Sequence, residues 1–461
     1  MQQTTAKAIA DQIDSTLAVF DDHFVKRNFV GLAVDGASTM IGQYNGVGAL
    51  LKEKYRKLVV IHCLAHRLEL CLGDTIRCAD IKPEINEFKK VLQEICFFYK
   101  KSPKMFKELK CSAESLALEI QSFRRIFDVR WTFSSLKAAE SLLKNRPAIL
   151  AHLTKKIKQN RRVLAHARGE SKNRKKISER NSILKYIVDR LQSVQLIGQL
   201  HALYDMLMRI AELSLFLQTA LLTPPSIFSK VQECILRLNQ FKESFGPSLA
   251  TFLDEITDID VKEELRNSLS NFIGTFVDGI TESINKRFFE SMMIRNCSVL
   301  SPVSFPKDEN ALRKYGNTEV GQLALKFGDE NFAFMVDREY QKYKLSNASI
   351  VGDNLQLLFH YIDVLPFSTA ACERGFSLMN TIWNERSNRF EPETVNHLLT
   401  IQCNGGDAQD VHEGHFIVDF LQDHVDATKR NDITQFKRKN ARSDNAIVVS
   451  RNARKALFDY A

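Results

Sequence analysis

Two short apolar runs constrain this chain most. Asn28-Phe-Val-Gly-Leu-Ala-Val-Asp35 and Leu58-Val-Val-Ile-His62 each have the form of a strand buried on both faces. Gly36 breaks the first run. Helical patterns surround them. Ile9, Ile13, Leu17, Phe20 and Phe24 recur every three to four residues, so residues 4–26 read as one amphipathic helix. A second helix opens at Asn45 and runs through Val47, Leu50, Leu51 and Tyr55; another follows from about Leu64 to Leu72. The order helix–strand–helix–strand implies two parallel strands joined by a right-handed crossover.

The remainder reads as mainly helix. Residues 183–222 carry a nearly unbroken apolar period, including Ile187, Leu191, Val194, Ile197, Leu200 and Leu203, which Pro224-Pro225 is expected to stop. Residues 315–402 are mixed but mostly helical, with Pro366 ending one segment. Beyond Gly405-Gly406 the sequence is polar and irregular, and residues 425–461 are expected to form a mobile tail. Few glycines (19) and ten prolines favour long helices over a turn-rich all-β fold.

A length of 461 residues suggests two or three domains, and 44% hydrophobic with 26% charged residues excludes a wholly disordered or collagen-like chain. Nine scattered cysteines, odd in number and without a Cys-x-x-Cys pair, argue against a disulfide framework and for a reducing compartment, nucleus or cytoplasm. No run approaches the ~18 apolar residues of a membrane span. The polar start at Met1–Thr5 does not resemble a signal peptide. The expectation is a soluble protein with no membrane partner. The net charge of +9 is local: residues 155–180 hold eleven basic and two acidic residues, and everything else sums to zero.

Five groups of residues can carry chemistry. Asp35 ends a buried strand before a Gly turn, where α/β folds place ligands; it is either a hard oxygen ligand or a turn and cap residue. Cys63 and His66 have the Cys-x-x-His spacing of a zinc site, but a structural zinc needs four ligands, and a packed or hydrogen-bonded pair is the simpler reading. Arg130-Trp131 precedes a helix; the pair could hold a phosphate and stack a base, or simply pack. Glu373 and Arg374 lie at a capped helix start, where Glu373 is either a structural ion-pair partner or a distant member of a carboxylate cluster. Within the basic run, Lys172, Arg174, Lys175 and Lys176 suit contact with a phosphate backbone; the alternative is a solvated loop between helices.

Taken in order, these blocks resemble the hAT-family transposases and host proteins derived from them. The matching stretches are Gly31-Leu-Ala-Val-Asp35-Gly-Ala-Ser-Thr-Met-Ile-Gly with Asn45-Gly-Val, and Ile61-His-Cys-Leu-Ala-His-Arg-Leu-Glu-Leu70. Arg130-Trp131 follows, and then Leu365-Pro-Phe-Ser-Thr-Ala-Ala-Cys-Glu-Arg-Gly-Phe-Ser377, continued through Arg386, Arg389 and Ile401. The resemblance implies a chain that is mainly α with a small α/β part: a truncated RNase H-like core interrupted by a large all-helical insertion. It implies a partial core at 1–80, an insertion at 81–314, a dimerisation region completing the core at 315–404, and a flexible tail at 405–461. It assigns Asp35 and Glu373 as remnants of a carboxylate triad and puts Cys63 and His66 beside them. Trp131 matches a Trp that stacks on a flipped base, and Phe376, Ile382, Val395, Leu398 and Ile401 become dimerisation residues; Val395, Leu398 and Ile401 equally suit an internal core helix.

The family's first catalytic Asp lies on a strand hairpin before the opening helix, where this chain begins. Two magnesium ions held by two carboxylates would leave too much charge uncompensated. The resemblance therefore implies a nuclear homodimer with possible non-specific DNA binding, no transposase activity, no resident metal or cofactor (Mg²⁺ only in an active transposase) and no small-molecule substrate. The sheet is expected to keep an unpaired edge. The alternatives are a protein-binding scaffold without DNA affinity and a fragment of an active magnesium-dependent transposase.

Overall fold

The structure is a computed structural model and describes residues 5–123, 131–166, 172–219, 222–289, 292–383 and 390–404. It is mainly α with a small α/β part, as the sequence led one to expect. The chain divides into two compact units, residues 1–371 and 372–461.

The first unit opens with α1 (Ala6–Leu17) and α2 (Asp22–Asn28), not with one helix over 4–26. The side chain of Asp21 accepts the amide of Phe24 and caps a new helix. The expected apolar stripe therefore breaks, and Phe20 and Phe24 stand more than half exposed. Next come β1 (Gly31–Val34), α3 (Ser38–Ile41), α4 (Val47–Lys54), β2 (Val59–His62) and α5 (Leu64–Arg77). β1 and β2 pair in parallel, Gly31 opposite Val59 and Val34 opposite His62, as expected from the two apolar runs. A small core of Ala10, Val25, Val47, Leu51, Tyr55 and Leu58 packs α1, α2 and α4 together. The Tyr55 hydroxyl donates to Asp14 at 2.7 Å, fixing the end of α4 to α1.

The helical region follows: α6 (Lys82–Lys100), α7 (Pro103–Glu114), α8 (Trp131–His166), α9 (Lys172–Gln192), α10 (Val194–Phe216), α11 (Pro224–Glu243), α12 (Pro247–Asp254) and α13 (Ile259–Ile284). A π-helical turn, Asn285–Phe289, leads to α14 (Met292–Ser298). The long period over 183–222 is cut at Ser193, whose hydroxyl accepts the amide of Leu196 and starts α10. Pro224-Pro225 does not stop that helix; it begins α11. Thr223 and Ser226 form a capping box, and proline in a first turn forfeits no helical hydrogen bond.

After a 3₁₀ turn at Pro302–Ser304 come α15 (Glu309–Lys314), α16 (Asn317–Phe327), α17 (Glu330–Leu345) and α18 (Asp353–Asp363). The main core is continuous, running from Val30 and Ile61 of the α/β part through the helices to Leu365 and Phe367. Two further helices are α19 (Ala370–Ile382) and α20 (Pro392–Asn404). Among the described residues, no helix is long and apolar enough to cross a membrane. The expected tail at 425–461 lies outside the described residues.

Candidate functional site

The carboxyl end of the two strands gathers three of the residues singled out from sequence. Asp35 leaves β1 directly and is exposed; its Oδ1 accepts the amide of Ala37 at 3.1 Å, which shapes the turn into α3. Gly36 lets this turn approach the imidazoles of β2 and α5. A Cβ there would lie 2.9 Å from His62 Nε2 and 3.1 Å from His66 Cδ2. The two rings sit 5.3 Å apart, centroid to centroid. Burial, followed by the charges of Arg67, His66 and Arg287, pushes His62 down to about 4, with Asp35 opposing. His62 is therefore neutral at physiological pH, and its Nε2 is buried without a hydrogen-bond partner among the described residues.

Cys63 is buried, and its Sγ accepts the amide of Thr369 at 3.3 Å. One residue on, the amide of Leu64 donates to the Phe367 carbonyl at 3.0 Å. Pro366 covers Gly31 so closely that a Cβ on the glycine would fall 2.4 Å from its Cδ. Residues 365–369 are thus laid across the strands as a strap. The Cys63 thiol is engaged in holding that strap.

Among the described residues, no three His, Cys, Asp or Glu side chains converge on a position that could hold a metal ion. At the sheet end, Asp35 stands with two imidazoles, a thiol held by backbone and the nearby Arg67. Of these groups, only the Asp35 carboxylate is a hard oxygen ligand of the kind magnesium takes.

Behind the imidazoles lies a polar clamp that sequence reading missed. Arg67 donates to the carbonyl of Arg287 at 2.8 Å, in the π-helical turn. Arg287 in turn donates from Nε and Nη2 to one oxygen of Asp74, at 2.9 and 2.6 Å, and the Ser283 hydroxyl donates to the same oxygen. Burial alone would raise the Asp74 carboxyl; hydrogen bonds and charge from Arg287 hold it below its ordinary range. Burial pushes the neighbouring Cys71 thiol up to about 12, so it is inert as a nucleophile.

Trp131 is the first residue of α8, and the next amide, of Thr132, donates to Glu69 of α5 at 3.1 Å. The side chain of Trp131 and all of Arg130 lie outside the described residues.

The described residues of the basic run are helical. Residues 155–166 belong to α8 and 172–180 to α9, two helices packed through Leu153, Ile157, Leu184 and Ile187. These apolar residues turn inward at helical spacing and leave the charges on the outer faces. Lys175 and Lys176 are exposed and Arg174 is half-buried, while the side chain of Lys172 lies outside the described residues. Lys156 is held by Glu108 of α7 at 2.9 Å, and the Arg180 guanidinium sits 5.0 Å above the Phe98 ring of α6.

Glu373 belongs to the second unit, in the first turn of α19, and is exposed. Phe376 on the same helix is 62% exposed, Ile382 is half-buried, and Trp383 just beyond it is 43% exposed. On α20, Val395 is buried and Leu398 and Ile401 are half-buried. Arg386 and Arg389 lie outside the described residues. Residues 352–404 match the family model for the hAT family C-terminal dimerisation region. This chain carries a hAT dimerisation region. It begins at the start of α18 and ends with α20, so all five residues expected to serve dimerisation fall inside it. Trp383 falls inside it too and was not singled out from sequence. Its spacing of seven from Phe376, two helical turns, is the signal that could have found it.

Proposed function

We propose that this chain is a transposase-derived protein that dimerises through its C-terminal helices, binds DNA without sequence preference and does not cut it. The match of residues 352–404 to the hAT dimerisation region carries this reading. The α/β part supports it: two parallel strands, Asp35 just beyond the first, and a long helical region before the chain returns through residues 365–369. We read this part as an RNase H-like core with an all-helical insertion, in which Asp35 and Glu373 are remnants of the catalytic carboxylates. The donor set around Asp35 supports the lack of cleavage. The exposed cations of α8 and α9 supply the DNA affinity, and the protein acts in the nucleus.

Sedimentation of the full chain tests the first part; a monomer at micromolar concentration would refute dimerisation. Salt-dependent retention on DNA tests the second, and no retention at low salt would favour a protein-binding scaffold. Plasmid nicking with Mg²⁺ or Mn²⁺ tests the third. Nicking that disappears in Glu373→Gln would overturn the inactive reading.

A further inference from the structure

The basic run has a second half that the overall charge conceals. Residues 100–110 contain five lysines and one acid, Glu108. Lys104, Lys107 and Lys110 recur every three residues on α7, an arc of roughly 120° at 3.6 residues per turn, and all three are exposed. Lys100 and Lys101 stand exposed at the end of α6.

Packing joins this corner to the α8–α9 pair. Glu108 is the shared anchor: it accepts Lys156 at 2.9 Å and pairs with buried His152 at 3.3 Å, whose other ring nitrogen meets the Tyr99 hydroxyl at 2.9 Å. The one acid of the lysine segment is thereby engaged by an ammonium and an imidazole of α8, while Lys100, Lys101, Lys104, Lys107 and Lys110 stand exposed. Asn160 bonds Asn181 at 3.3 Å, and Arg180 covers Phe98, so α6, α7, α8 and α9 come together around these residues.

An aromatic side chain lies at this junction. Phe97 is 58% exposed, next to buried Phe98, and the Lys101 ammonium stands 4.0 Å from its ring centre. Cations that track a backbone, interleaved with an exposed ring, are what unpaired nucleic acid requires. Phosphates take the charges, and any base offers a face to stack.

We propose that the α6–α7 corner and the α8–α9 pair form one electropositive platform for single-stranded nucleic acid, with Phe97 as a base-stacking residue. This rests on the DNA-binding reading above and extends it to a surface and a substrate form. The lysines act through charge and are independent of base identity.

The test is fluorescence anisotropy of the full chain against a labelled mixed-sequence single strand and the same sequence as a duplex, over a salt series. Circular dichroism checks the folding of each variant. Combining Lys101→Gln, Lys104→Gln and Lys107→Gln is expected to weaken single-strand binding about tenfold and lower the log–log salt slope by about 2. Phe97→Ala is expected to weaken single-strand binding roughly 5- to 100-fold, with the slope and duplex binding unchanged. Wild-type affinity and slope in the triple variant, alongside a loss on neutralising residues 172–176, would overturn the platform and leave the DNA-binding reading standing. Absence of binding by the wild type at low salt would remove that reading itself. No effect of Phe97→Ala, or equal loss on duplex and single strand, would overturn the stacking role.

Discussion

The amide of Thr369 donates to the Cys63 thiol at 3.3 Å, across 306 residues of chain. With the Leu64–Phe367 bond beside it, this contact fastens the returning chain over the end of the sheet. Cys63→Ala removes a buried acceptor and leaves a small void. The expected cost is about 1–3 kcal/mol in urea unfolding, with Cys63→Ser less damaging because it keeps an acceptor. Because the sulfur is used in this way, dialysis against EDTA is expected to leave the melting curve unchanged. A fall in melting temperature restored by zinc would contradict this role.

Gly36 is expected to be intolerant of a side chain for a packing reason. A Cβ would lie 2.9 Å from His62 Nε2 and 3.0 Å from its Cε1. Gly36→Ala should therefore cost roughly 1–3 kcal/mol through overpacking. Adding His62→Ala should recover part of that loss, and a double-mutant cycle measures how much. Strict additivity would show that the two groups do not touch.

The strand pair and the Asp35 turn were legible because short doubly buried runs and a following Gly leave few alternatives. The helix breaks were not. Asp21 and Ser193 each cut a good apolar period, because a single side chain oxygen accepting an amide overrides the pattern on either side. The clamp of Asp74 and Arg287 spans 213 residues, so no local pattern can announce it. The lysines of residues 100–110 were missed for another reason. Summing charge over the whole remainder cancels a positive face against acids elsewhere, although their spacing of three already marked one side of a helix. Glu373 was legible as part of a helix start, and sequence could go no further.

Acid is expected to destabilise the fold through two half-buried imidazoles. Burial pushes both His62 and His201 down to about 4, from an ordinary value near 6.5. Between those values the unfolded chain binds more protons than the folded one, so stability is full above 6.5 and falls as pH drops toward 4. Each group contributes a slope of at most about 1.4 kcal/mol per pH unit. His201→Gln should flatten the dependence of urea midpoints measured from pH 7 to 4.5. An unchanged slope would mean that His201 titrates normally in the folded protein.

Self-association should depend on Phe376 and Trp383 more than on Val395. The first two expose large aromatic surfaces within the hAT dimerisation region, whereas Val395 is already buried. Aromatic anchors at interface centres lose about 2 kcal/mol or more on truncation, roughly 30-fold in affinity. Phe376→Ala with Trp383→Ala is expected to raise the dimer dissociation constant by at least that factor in sedimentation equilibrium, with little change in helix content. Val395→Ala should lower the melting temperature and affect the dimer only secondarily. The reverse pattern would place the interface elsewhere.

Lys344 is a buried cation whose removal should cost more than its charge suggests. It is 1% exposed, and its ammonium donates to the Arg313 carbonyl at 3.2 Å, the Tyr315 carbonyl at 2.8 Å and Asn317 Oδ1 at 2.6 Å. Those three acceptors lie at the end of α15 and the start of α16, around Gly316, whose φ of +71° admits a tight turn. Burial pushes Lys344 down to about 8 from its ordinary 10.5. A lowered lysine has a definite sign. Between pH 8 and 10.5 the unfolded chain holds more protons, so raising pH through this window stabilises the fold through Lys344, by at most about 1.4 kcal/mol per unit. Lys344→Met keeps the packing but leaves the turn's acceptors without their donor, at an expected cost of about 2–4 kcal/mol near pH 7. Urea unfolding of both proteins at pH 7 and 9.5 distinguishes the cases. The wild-type contribution from this group should grow with pH, and the variant should lack that increment. A variant as stable as wild type at pH 7 would show that the ammonium's desolvation outweighs its three hydrogen bonds.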